Sequence, residues 1–172
     1  MGVIKGRRII YLYRILKDAT KGPASAIAFT TENSRSKSRD SDTVTTKDGT
    51  IRVPGEVETE ISTTALFASE NDEMIGKLEK ALDSGEKVEI WEINLDKPGT
   101  ETNTGKYTAK YYQGYVTSFE LSSNSEDHAE ASLDFGIEGT GSDGYATVTE
   151  KQQELAAYVF KDTTKEEGSS LV

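Results

Sequence analysis

A chain of 172 residues, 34% of them apolar, can bury one core without covalent staples, and the lack of cysteine excludes disulfides, thiolate metal sites and thiol nucleophiles. A net charge of −10 argues against tight nucleic-acid binding, whose affinity rests on neutralising phosphates. Residues 1–55 hold 11 Lys and Arg against 5 Asp and Glu, whereas residues 56–172 hold 9 against 25. Such an asymmetry draws copies together head to tail if it survives folding, and vanishes if the two parts mix in space. Apolar runs such as Ile9 to Tyr13 fall far short of the roughly 20 residues of a membrane helix. There is no secretory h-region, and position 6 is Gly6 where myristoylation wants Ser or Thr. No membrane anchor is expected, and the cysteine-free composition fits a reducing cytoplasmic origin.

In chain order the elements are mostly strands. Ile9 to Leu16 is rich in β-branched and aromatic residues, and Ala26 to Thr31 follows the turn-forming Gly22-Pro23. Ser36 to Gly55, SKSRDSDTVTTKDGTIRVPG, is polar and charge-mixed. It predicts a long loop, of a kind that in compact domains is functional or disordered. Val57, Thr59, Ile61, Thr63 and Ala65 then alternate with Glu56, Glu58, Glu60, Ser62 and Thr64 as a half-buried strand. The period changes at Ser69, which forms a capping-box pattern with Asp72. Met74, Ile75, Leu78, Ala81 and Leu82 share one helical face, and Gly85 supplies the stop.

Strands resume with Lys87 to Leu95, apolar on both faces, and Asp96 to Gly105 reads as a flexible loop. In Tyr107 to Leu121, one face is assigned Tyr107, Ala109, Tyr111, Tyr115, Phe119 and Leu121; the other takes Lys110, Gly114, Ser118 and Glu120. Asp127 to Gly139 alternates more cleanly: Ala129, Ala131, Leu133, Phe135 and Ile137 oppose His128, Glu130, Ser132, Asp134 and Glu138. Thr149 with Gln152 forms a second capping-box pattern before a brief helix or extended arm through Leu155, Ala156 and Val159, and Lys161 to Val172 is a polar tail. One inserted helix among runs of strands implies a mainly β fold: an antiparallel β-sandwich or open barrel with one flanking α-helix and a long polar loop. A single domain over residues 1–162, followed by a tail at 163–172, is expected.

Apparent catalytic motifs fail on context. Gly139-Thr-Gly141-Ser-Asp-Gly144 has the dinucleotide spacing but opens no helix, so a hairpin turn is expected, with Tyr145 to Val148 a further short strand. Gly99 to Lys106 misses the P-loop spacing by one and ends in Tyr107 instead of Ser or Thr. Asp40, Asp42 and Asp48-Gly49 resemble a calcium loop, but Val44 stands at a ligand position and no Glu closes the set. His128, the only histidine, sits on a polar strand face, and Ser34 and Lys37 lie where nothing desolvates the lysine. No catalytic, cofactor-binding or metal-binding residue is assigned, and no cofactor is expected. What remains is surface. Glu56, Glu58 and Glu60 share one strand face and Glu130, Asp134 and Glu138 another; these are either a solvated exterior or the acidic wall of a channel that repels a passing polyanion.

Five segments, IIYLYRILKDATKGPASAIAFTTENS, SKSRDSDTVTTKDGTIRVPG, EIWEI, AKYYQGYVTSFEL and GYATVTEKQQELAAYVFKDT, together resemble the major tail protein of long, flexible-tailed, non-contractile bacteriophages of Gram-positive hosts. The resemblance covers about residues 9–163. It implies a structural virion protein, made in the host cytoplasm, that folds as a β-sandwich flanked by a helix. It further implies six-subunit rings stacked through long loops and terminal arms into a tail tube, the conduit for DNA. Implied partners are other copies of the chain, a tape-measure protein, and tail terminator or distal tail proteins; DNA passes without specific binding. The immunoglobulin-like domain that some relatives add is not expected here. Paired free sheet edges would close such a ring. Contact with a neighbouring subunit is assigned to Lys37, Arg39, Asp40, Asp42, Lys47, Asp48 and Arg52, in a loop expected to be mobile until Arg39, Lys47 and Arg52 meet a neighbour's carboxylates. The lumen face is assigned to Glu56, Glu58, Glu60, Glu130, Asp134 and Glu138. Two alternatives stay open: a tube protein of a contractile injection or secretion system, and a carbohydrate-binding β-sandwich or enzyme.

Overall fold

The structure is a computed structural model that describes residues 2–126 and 128–149. Six antiparallel strands form one sheet in the order β1-β4-β5-β6-β3-β2, where β1 is Ile9–Ile15, β2 Thr30–Thr46, β3 Gly49–Leu66, β4 Val88–Pro98, β5 Lys106–Ser122 and β6 Glu130–Thr147. One helix, α1 (Asp72–Ser84), connects β3 to β4. The expected architecture is present, with each apolar strand within a few residues of its predicted place. Ala26 to Thr31 is the exception, because residues 26–29 are not in a strand and β2 begins at Thr30.

The sheet doubles over on itself because two strands change layer at the same level. Along β5 and β6, Tyr111 pairs with Ser142 but Gln113 pairs with Glu138, so Gly139, Thr140 and Gly141 are extra residues opposite Tyr112. A bulge of this kind bends a strand and turns a corner between packed sheets. Gly139 and Gly141 hold φ of 69° and 85°, and a Cβ on Gly141 would lie 2.4 Å from the Tyr112 ring. Glycine is therefore favoured by the backbone at Gly139 and required by both backbone and space at Gly141. The hairpin turn expected at Gly139–Gly144 is this corner instead, and Tyr145 continues β6 because β5 keeps a partner through Lys106↔Thr147. A second bulge, with Thr117 extra between Val116 and Ser118, corrects the faces assigned to β5. Tyr107 and Ala109 pack on the outer side with Leu12, Ile93 and Leu95, whereas Tyr112, Val116 and Phe119 face the main core.

One layer thus holds β1, β4, the first half of β5 and the second half of β6; the other holds the second half of β5, the first half of β6, β3 and β2. Between them lie Tyr13, Ile61, Ile90, Tyr112, Leu133 and Phe135, all nearly inaccessible, with Tyr13 and Phe135 stacked at 5.5 Å. α1 adds Ile75, Leu78 and Ala81 to this core from the predicted face. Gly85 ends the helix in the left-handed region at φ 72°. The Ser69–Asp72 capping box does not form. Asn71 is the N-cap without a side-chain cap bond, its amide instead donating to Ala28 and Leu66 carbonyls, each at 2.7 Å.

Polar groups tie the open side. Tyr13 on β1 meets Thr63 on β3 and Asn33 on β2 through its hydroxyl. Arg35 on β2 donates through Nε and Nη2 to both carboxylate oxygens of Glu92 on β4, at 2.7 and 3.2 Å, and the Tyr11 hydroxyl donates to Glu92 at 2.6 Å. Burial opposes ionisation of Glu92, but the bonds from Arg35 and Tyr11 outweigh it and hold the carboxyl below the ordinary carboxylate range. A depressed carboxylate contributes stability that is present above its unfolded pKa and is lost as pH falls through the lower folded value. Glu92→Gln is therefore expected to unfold about 1–3 kcal/mol more easily at pH 7 and to show a flatter loss of stability on acidification. Parallel urea-midpoint curves against pH for the two proteins would exclude this role. Leu78→Ala should cost roughly 2–5 kcal/mol in the same assay, and Leu78→Asp should not fold.

Candidate assembly surfaces

The segment Ser36 to Gly55 is not a loop. It is the outer part of a β-hairpin in which β2 and β3 pair from Thr30↔Ala65 to Thr46↔Gly49, leaving Lys47-Asp48 as the turn. Sequence reasoning took its polarity for lack of structure, but β-branched residues fill Thr43 to Thr46 on one arm and stand at Thr50, Ile51 and Val53 on the other, and Asp48-Gly49 is a hairpin signal. β6 pairs with β3 only between Thr59↔Ile137 and Leu66↔Glu130, so β3 before Thr59 and its partner residues of β2 extend past the sheet as a two-stranded arm. Near the arm's root Lys37 donates to the Thr140 carbonyl at 3.2 Å, fastening it to the corner.

A bulge shapes the arm: Arg39 pairs with Val57 but Ser41 with Pro54, so Gly55 and Glu56 oppose Asp40 alone. The extra residue shifts the alternation of β3. Ile51 and Val53, opposite Val44 and Asp42, come to the side that Glu58 and Glu60 occupy lower down. Val44, Ile51 and Val53 are 44%, 53% and 47% exposed, an apolar stripe with no cover. The opposite side carries Thr43, Arg52 and Ser41, with Arg52 donating to Ser41 Oγ at 3.2 Å. Among the described residues, none of Lys37, Arg39, Asp40, Asp42, Lys47, Asp48 and Arg52 forms an ion pair.

The carboxylates assigned to a lumen face lie on the outer face of the second layer. Pairing sets Glu58 beside Ser38, Glu60 beside Ser36 and Gly136, Asp134 beside Ser62 and Ser118, and Glu130 beside Leu66 and Ser122. Glu138 lies opposite Gln113 on the same face. Glu56 is the exception, carried by the bulge into the arm. The registers add two acids to the patch that sequence reasoning did not assign, Glu32 opposite Thr64 and Glu120 opposite Ser132. The sequence reading set Glu120 on the Ser118 face without joining it to the acidic set; Glu32 became legible only with the β2–β3 register. The only ion pair of these carboxylates among the described residues is Glu138 with Lys87 at 2.9 Å, and the bond from Lys87 holds the Glu138 carboxyl below its ordinary range. Ser62 Oγ donates to Asp134 at 2.6 Å.

This acidic layer has two open edges. Among the described residues β2 has no strand beyond it, and β4 pairs with β5 only as far as Val88↔Gly114, so none of them forms a strand beside β5 from Tyr115 to Ser122 on that side. An uncovered edge is a template for another chain. Here the two edges bound the same four strands from opposite sides.

Comparison with known proteins points to a structural role. A tail protein of Staphylococcus phage phiMR25 is 33% identical over 159 residues, covering 91% of this chain and 81% of that one. The SPP1 tail tube subunit superposes with a TM-score of 0.72 at 21% identity, over 97% of this chain and 96% of the other. The tail of an empty gene transfer agent particle, refined with C6 symmetry, gives 0.61 at 19% identity over 81% and 98%. The family model described as phage tail tube protein matches residues 3–143, and the chain accordingly belongs to that family, as a structural protein of the phage tail.

Proposed function

We propose that this chain closes into hexameric rings by pairing the β2 edge of each copy with the β5 edge, Tyr115 to Ser122, of the next, and that rings stack into the tube. The observation that carries this reading is the placement of two free edges on opposite sides of one four-stranded layer with a single acidic face. Unlike surfaces meeting head to tail generate a ring when the rotation closes. Six copies, the symmetry of the gene transfer agent tail, would bring twenty-four strands. At about 4.8 Å per strand and the usual barrel tilt, the backbone cylinder is roughly 45–50 Å across. Side chains narrow it, yet room remains for a DNA duplex.

The acidic face lines this bore. Glu58, Glu60, Glu120, Glu130 and Asp134 repeat around it and repel phosphate, so DNA passes without binding. A tape-measure protein is the natural occupant before DNA, and terminator or distal tail proteins cover the ends. The arm carries the second contact. A lone two-stranded ribbon is marginal in water, so the apolar stripe Val44, Ile51 and Val53 is covered by a subunit of the adjacent ring, with Arg39, Lys47 and Arg52 set against that ring's carboxylates.

Electron microscopy of the concentrated purified chain tests the reading: hollow rods of uniform width are expected, and discrete monomers under all conditions would overturn it. Replacing residues 41–54 with Asn-Gly should leave the melting of the lone subunit nearly unchanged, because the arm lies outside the core and turn length alters closure entropy only weakly. Rods should be lost. Glu58, Glu60 and Glu130 reversed together to Lys should still give rods, but rods that co-sediment with duplex DNA at low salt and release it as salt is raised. Reversed rods that ignore DNA at low salt would put this face outside the bore.

A further inference from the structure

A groove of about 670 Å3 lies on the open side of the sandwich, between Ile9, Ile10 and Tyr11 of β1 and Ala26, Ile27 and Phe29 ahead of β2. Its lining continues along the first residues of β2, Thr30 to Asn33, and takes in Arg7 ahead of β1. Phe29 stays 53% exposed beside it. Arg7 is exposed too and, among the described residues, forms no ion pair. The site is an apolar cleft with an unpaired cation at its margin.

The arm carries the matching features. On one of its sides Val44 lies opposite Ile51 and Asp42 opposite Val53, so the apolar stripe includes an unpaired carboxylate. The arm cannot bring that stripe to the groove of its own chain. Eleven steps of β2 separate Asn33, where the groove ends, from Val44; that is about 36 Å of extended strand, and pairing with β3 keeps the ribbon from folding back. Lys37, bonded to the Thr140 carbonyl, holds the root in place. A second copy displaced along β2 meets no such bar.

We propose that the arm of one copy seats Val44, Ile51 and Val53 in this groove on a copy of the adjacent ring, side chains first, with Asp42 set against Arg7. The inference rests on the stacking reading above and names the surface that receives the arm. One wall of the groove is the start of β2, the strand whose edge pairs within the ring, so the contacts in the plane and along the axis adjoin. Apolar burial supplies the affinity, whereas the pairing of Asp42 with Arg7 selects the register.

The cysteine-free sequence allows a direct test on rods assembled from the full chain. Ala28 lines the groove, and Ala28→Cys combined with Ile51→Cys, oxidised mildly after assembly, should give a non-reducing ladder that runs past six chains, because each link joins successive rings. Ala28→Cys with Thr45→Cys, on the other side of the arm, should stay monomeric. Arg7→Asp and Asp42→Arg should each raise the protein concentration needed for rods about two- to fivefold, and the two together should restore it. A ladder that stops at six would put the arm on a neighbour within the ring, and rods without any link between positions 28 and 51 would put the stripe elsewhere. Either result overturns the proposal while stacking itself stands. Failure of the unmodified chain to form rods would overturn the stacking reading, and this one with it.

Discussion

The Tyr112 ring occupies the space that a Cβ on Gly141 would need, and the rest of the molecule follows from that contact. Three extra residues of β6 pass opposite Tyr112, so both long strands turn from one layer into the other at the same level. A flat six-stranded sheet would expose one whole apolar face. Folding it at this corner brings Tyr13 of β1 onto Phe135 of β6 and makes one sheet supply both walls of its own core. The same turn leaves β5 half paired: β4 follows its first part and stops at Gly114, where a Cβ would strike the Gly136 carbonyl at 2.2 Å. The free edge at Tyr115 to Ser122 is thus a by-product of the corner, not a separate device.

The open side is held by groups that hydrophobic burial alone would not select. Arg35 and Glu92 are 57 residues apart and join β2 to β4 through two parallel bonds, with the guanidinium 5.8 Å from the Tyr112 ring centre. Partly buried ion pairs are weak net stabilisers compared with apolar substitutes of equal volume. Their directionality serves another end here. The arm springs from β2 immediately beyond Arg35, so the clasp sets the angle at which an otherwise unsupported ribbon leaves the body. Lys37 reaching the Thr140 carbonyl repeats the constraint two residues later. A second polar network, in which Arg14 and Tyr111 both bond Glu89 at 2.6 Å, braces the outer face of the other layer.

Strands with clean period-two patterns, such as Glu130 to Ile137, and the helix from Asp72 to Gly85 were legible in the sequence because one face of each is buried and the other is wet. Two kinds of element were not. The arm has no buried face within its own chain, so its composition follows solvent and partner instead of core, and the period-two signal that marks a strand is absent. The corner hides for the opposite reason: its three extra residues lie in β6 opposite Tyr112 alone, and a separate bulge at Val116/Ser118 shifts the alternation of β5, so a strict period assigned Tyr111 and Phe119 to one face when they lie on two. The acidic patch was half legible. Alternation ordered the carboxylates along β3 and β6, but only the register Glu60↔Gly136 and Ser62↔Asp134 shows that the two rows form one surface.

Edges that would be hazards in a solitary domain become determinants of assembly when they differ from one another. A self-complementary edge gives a closed dimer, whereas two unlike edges on one layer give rings or open polymers. The acidic face adds a condition to the outcome. Like charges on that face repel across a narrow cylinder and less across a wide one, and the loss is further screened beyond about 8–10 Å at ordinary ionic strength. In the proposed ring, small closures that crowd Glu58, Glu60 and Glu130 would therefore be disfavoured relative to large ones, while the main-chain bonds gained per seam would stay the same. In the proposed tube the arm would impose direction, because its stripe of Val44, Ile51 and Val53 leaves the layer at one end only. A ring that is closed in its plane and polar along its axis can grow only by repeating itself, and that is the geometry a tube requires.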